Sequence, residues 1–134
     1  MVDKLTPEQL RRSEEIREYV ATVQHVKRLV TDLEGSRAAK QNIIQGLCDS
    51  IARELSELRQ RTLSAKLGTV PDIAGAMSVM ATRGGGLNTK LRGLAEGVAS
   101  LMMQLDHALH AATTPVERLG GRDSGGAGRG SEGA

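Results

Sequence analysis

The stretch "DHALH" sets Asp106, His107 and His110 within five residues of one another. Two histidines three apart on one helix could offer a metal two ligands, and two-fold assembly could complete a set of four. Both histidines fall at outer positions of the heptad pattern around them, where solvated side chains belong. The spacing therefore reads as a polar helix face, and no metal is expected. His25 is also outward and distant in sequence. Cys48 is the single cysteine. As a nucleophile it would need a base beside it, and nothing in the sequence brings a histidine there. It flanks an apolar stripe, so it reads as a buried structural thiol.

In "RGGGLNTK", residues 83–90, a glycine loop precedes a helix, with Arg83 and Lys90 close by. Helix N-termini attract anions, but the spacing is not that of a phosphate-cradling P-loop and no strand precedes it. The segment reads as a hinge. "GGAGRG" near the end is glycine-rich low complexity rather than a dinucleotide fingerprint. Paired carboxylates such as Glu14 and Glu15 sit among arginines. "EEIREY" and "ELSELRQR" read as solvated faces with intrahelical ion pairs, Glu14 with Arg17 and Glu57 with Arg61. No enzyme signature emerges, and no cofactor is expected.

The elements that hold these residues are helical. Hydrophobic residues make up 39% of the 134, yet aromatics only 1%, with Tyr19 the sole example. A core of Leu, Val, Ile, Met and Ala suits narrow helix-to-helix seams, whereas a sheet would draw on aromatics and alternation. The length allows a core without disulfides or metal. The formal net charge of +2 does not by itself imply a nucleic-acid partner. Residues 1–34 hold six basic against seven acidic side chains, and residues 35–67 six against three, so these two segments attract weakly if packed together.

Helix one begins with Thr6 as N-cap, Pro7 at the first helical position, Gln9 completing a capping box, and Leu5 able to staple against Leu10. Its stripe is Ile16, Tyr19, Val23, Val26, Val30 and Leu33, widened by Val20 and Leu29. At Gly35 two readings stand. Either Gly35 ends the helix and Ser36 caps a second one, giving a hairpin, or one helix of about 60 residues runs through, about 90 Å long. The heptad phase is preserved across Gly35, which favours continuity; polar Arg37 and Lys40 at seam positions favour the hairpin. The next helical stretch, residues 37–66, carries Ile43, Ile44, Leu47, Ile51, Leu55, Leu58 and Leu63, and ends near Gly68 and Pro71. A short helix over about 71–81 places Val70, Ile73, Ala74, Met77 and Met80 on one face. The last long helix repeats Leu87, Leu91, Leu94, Val98, Leu101, Leu105, Ala108 and Ala112 at steps of four and three. Gly93 and Gly97 within it allow close approach, most simply by internal packing.

The expected architecture is all-α: a helical bundle or coiled coil of three long helices plus one short helix over 1–115. A glycine-rich tail over 116–134 is too poor in apolar residues to order itself. The expected function is non-enzymatic, that of a structural or adaptor subunit acting through helix-to-helix contacts as a homo-oligomer or in a larger complex. Met77, Met80, Leu91, Leu94, Val98, Leu101, Met102, Leu105 and Leu109 are the candidate partner-binding residues. The short helix could dock a partner or cap one end of the bundle. The alternative is a nucleic-acid-associated protein using Arg53, Arg59, Arg61 and Lys66 with the tail arginines Arg118, Arg122 and Arg129. The lack of aromatics for base stacking speaks against that alternative. The charged opening carries no signal peptide and no apolar run reaches a membrane span. With one cysteine, the expected location is the reducing cytoplasm.

Overall fold

The computed structural model describes residues 4–115. The expected tail over 116–134 lies outside the described residues. Four helices follow in order: α1 Pro7–Gly35, α2 Gln41–Ser64, α3 Val70–Thr82 and α4 Leu87–Thr113.

The start of α1 is the capping box read from its sequence. Gln9 N–H donates to Thr6 Oγ1 at 3.0 Å, and Thr6 N–H donates to Gln9 Oε1 at 2.9 Å. Every member of the predicted α1 stripe, from Ile16 to Leu33, is buried. The helix ends at Gly35, and Ser36 N–H bonds back to Leu33 O. The chain therefore forms the hairpin and not a single rod. Ser36 closes α1 instead of opening α2, whose N-cap is Lys40 without a side-chain bond. The preserved phase across Gly35 is coincidence. Arg37 and Lys40 fall in the connection and stay exposed, as two charged groups must when nothing pairs them in a core.

The end of α2 is a Schellman motif. Leu67 N–H reaches Thr62 O and Lys66 N–H reaches Leu63 O, both at 3.1 Å. The left-handed position is held by Lys66, at φ 58°, where glycine is the usual occupant. Gly68, also at φ 58°, then swings the chain into α3.

The contacts between helices form a closed ring: α1 against α2, α2 against α3, α3 against α4, and α4 against α1. Each neighbouring pair is antiparallel. Arg12 near the start of α1 donates to Ala65 O at the end of α2. Ser78 donates to Ala52 O across α2 and α3. Met77 and Met80 meet Gly97 and Gly93 across α3 and α4. Gln9 Nε2 donates to Thr114 O at 2.8 Å, joining the first turn of α1 to the end of α4. The fold is an up-down-up-down four-helix bundle around one contiguous apolar core.

At 13 residues α3 is about 20 Å long, half the length of α4 at 27 residues. It does not cap an end of the bundle, one of the two roles its sequence suggested. It lies lengthwise between α2 and α4 as the fourth wall. The pairing of Met77 with Gly97 sets the start of α3 level with about residue 104 of α4. The last turns of α4 run past it, alongside the first turns of α1.

Candidate interaction surface

The residues of the α4 stripe are brought together, and they face inward. Leu91, Leu94, Val98, Leu101 and Leu105 are all buried, with Leu94, Leu101 and Leu105 fully so. Leu87, Ala108 and Ala112 at its ends are partly buried. The cover of this stripe within the chain is the rest of the chain. Met77 of α3 is also buried, whereas Met80, Met102 and Leu109 are partly exposed. Of the nine candidate partner-binding side chains, these last three retain surface.

Gly93 and Gly97 explain how a helix as short as α3 holds its place. A Cβ built on Gly97 would lie 2.6 Å from Met77 Cγ and 2.9 Å from its Cε. One on Gly93 would meet the Met80 sulfur and lie 2.8 Å from its Cε. Two methionine knobs thus fill two glycine hollows one helical turn apart. The close approach expected of this glycine pair is real, and the partner is a side chain of the same chain. Gly75 of α3 plays the same part toward α2, where the Arg59 stem crosses it with Cδ 2.9 Å from the position of a Cβ.

The candidate chemical groups are dispersed. His107 and His110 are exposed on α4. Among the described residues no group of three or more His, Cys, Asp or Glu side chains is placed to hold a metal. Cys48 is buried and free, and Lys90 Nζ donates to its Sγ at 3.9 Å. Both buried polar hydroxyls are satisfied within their own helices, Ser13 by Leu10 O and Thr62 by Leu58 O.

Tyr19 faces α2. Its ring lies under the Arg61 guanidinium, 5.2 Å from centroid to Cζ, and its hydroxyl donates weakly to Arg61 O at 3.5 Å. Burial, with the Glu15 carboxylate beside it, pushes the phenol above its ordinary value. Arg61 also pairs with Glu18 at 3.1 Å. The expected pairs Glu14–Arg17 and Glu57–Arg61 do not form. Arg61 points across the seam to α1 instead of along its own helix; Arg12–Glu15 pairs within α1, and Glu34 at its end pairs with Arg37 of the connection. An open cleft of about 1030 Å³ runs over this seam, lined by both signs of charge, among them Glu8, Arg11, Glu14 and Arg61. Arg59 and Arg61, half of the basic set read at the end of helix two, are thus engaged in packing α2 against its two neighbours.

The segment read as a hinge, residues 83–86, does connect α3 to α4. It borders a pocket of about 330 Å³ with Arg83, Lys90, Arg92 and Glu96 on its walls. A second pocket of about 380 Å³ shares Arg92 and adds Arg37 and Glu34. Arg83 and Lys90 stand together in the sequence, but nothing local joins Arg92 and Arg37 to them, because only the antiparallel topology brings the 36–40 and 83–86 connections to the same end.

Apolar side chains also remain outside the core. Leu10, Ile43, Leu63, Val79 and Met103 are each 50–55% exposed. No described helix is long and apolar enough to cross a membrane. No family model, no curated protein and no solved structure matches this chain.

Proposed function

We propose that this chain is a non-enzymatic structural or adaptor subunit that works through helix-to-helix contacts, with copies of itself or with other proteins. The observation that carries the reading is the apolar surface left on α4 after its core stripe has been covered. Met102 and Leu109, one heptad apart, form a partly buried flank, and Met103 beside them is half exposed. Leu10 is half exposed next to the Gln9–Thr114 contact, at the same end of the bundle as Leu109. Methionine-rich helix flanks adapt to helical partners. The four-three spacing along α4 and the seating of Met77 at Gly97 suit packing of the coiled-coil kind. A single buried free thiol suits a reducing compartment such as the cytoplasm, and that location is part of the proposal.

Light scattering coupled to size exclusion, over a concentration series, tests it. The expected result is a mass above that of one chain that grows with concentration. The pair of surface changes Leu10→Glu and Met103→Glu should return it to one chain with an unchanged helical signal. A single-chain mass at every concentration removes self-assembly from the reading. An association that the double variant leaves intact removes this face from it.

A further inference from the structure

The up-down-up-down path delivers the 36–40 and 83–86 connections to one end of the bundle. That end carries four cationic side chains along two adjoining pockets: Arg37 and Arg92 on one, Arg92, Lys90 and Arg83 on the other. Only Arg37 has an ion-pair partner among the described residues, Glu34 at 3.8 Å. Glu96 is the single carboxylate on the smaller pocket, against three cations. Arg37 and Arg83 come from the two connections and Lys90 and Arg92 from the first turns of α4; like charges repel one another, and packing of the core does not require these to meet. They are best placed to hold a dianion between them, since guanidinium groups grip phosphate oxygens with paired, charge-assisted hydrogen bonds.

We infer that the pocket between the end of α3 and the first turns of α4 is a binding site for a small phosphate-bearing ligand, held by Arg83, Lys90 and Arg92. The volume of about 330 Å³ is at the lower end for ligand pockets, which fits a compact phosphate or diphosphate group better than an extended chain. This site is at the opposite end of the bundle from Leu10 and Leu109, so it stands apart from the assembly surface proposed above.

The test is a titration of the full chain with inorganic pyrophosphate at low salt, followed by amide and arginine side-chain NMR. The expected result is saturable shifts at residues 83–93, with a dissociation constant of about 1 mM or tighter. Arg83→Gln with Arg92→Gln should weaken binding at least about tenfold, the usual reach of lost charge-assisted bonds. Because both side chains are exposed, the double variant should keep its melting temperature. Arg11→Gln, at the other end, should bind as the parent does. Shifts scattered over all basic residues, or binding that survives in the double variant, would overturn the proposal. So would a chain that ignores pyrophosphate but binds an oligonucleotide, because that result would assign the basic end to a nucleic-acid backbone.

Discussion

Met77 and Gly97 are complementary, and each constrains the other. Gly97→Ala improves helix propensity by about 1 kcal/mol, but the new methyl group enters space that Met77 occupies. Overpacking of this kind costs about 1–3 kcal/mol. The expected net result is a lower melting temperature. Met77→Ala leaves a cavity and should cost about 2–5 kcal/mol. The double variant should lose less than the sum, because the alanine at 97 then meets no sulfur. Chemical denaturation of the four chains of this cycle measures the coupling. Additive losses would show that the two residues do not share one hollow.

Tyr19 gives the bundle a pH dependence at the alkaline end. Its phenol is raised above the ordinary value of 10.0, chiefly by burial and secondly by Glu15. The folded state therefore holds the proton more tightly than the unfolded chain does. The stability this contributes is present in full below the unfolded value and is lost as pH rises through the folded one. Tyr19→Phe should flatten the fall of melting temperature above pH 10.0 while changing little near neutrality, since the hydroxyl bond to Arg61 O is long at 3.5 Å. Melts across alkaline pH, beside phenolate absorbance, check both parts. An equal alkaline fall in the phenylalanine variant would place the effect elsewhere.

Among the elements, α2 stores strain at its end. Lys66 holds the left-handed position of the Schellman motif, which costs a residue with a Cβ about 1 kcal/mol or more. Lys66 is exposed and makes no ion pair among the described residues. Lys66→Gly should therefore stabilise the protein by up to about 1 kcal/mol, seen as a melting temperature a few degrees higher. At the other boundary, Thr6→Ala removes the capping box and should cost about 1 kcal/mol. A neutral Thr6→Ala would mean that the start of α1 is held by the Gln9–Thr114 contact instead.

Across the whole molecule, one core cluster runs through all four helices. Although α3 is short, Met77, Ala74 and Ala81 belong to the same buried set as Leu55 and Leu101. Unfolding should be a single transition with coincident probes. Leu55→Ala, at a fully buried site, should shift that transition by about 2–5 kcal/mol without splitting it. A separate early phase confined to amides of 70–82 in hydrogen exchange would show that α3 is a detachable element.

Several features of this protein were fixed by local sequence. The capping box at Thr6 and Gln9, the α1 and α4 stripes and the four helical segments follow from residue spacing and cap chemistry, which act within a few residues. Other features depended on how distant segments meet. The choice between hairpin and rod at Gly35 turned on whether charged Arg37 and Lys40 could be buried, which is a tertiary question. The lengthwise seat of α3 depended on glycines that lie 13 and 20 residues after the methionines they receive. The switch of Arg61 from Glu57 to Glu18 depended on which face α2 turned toward α1. The basic end was the least legible from sequence, because Arg37, Arg83 and Arg92 are scattered over 55 residues and no local pattern connects them. Helix periodicity records which side chains must leave water. Which helix covers them, and which charges are left facing one another, is decided by the path of the chain between helices.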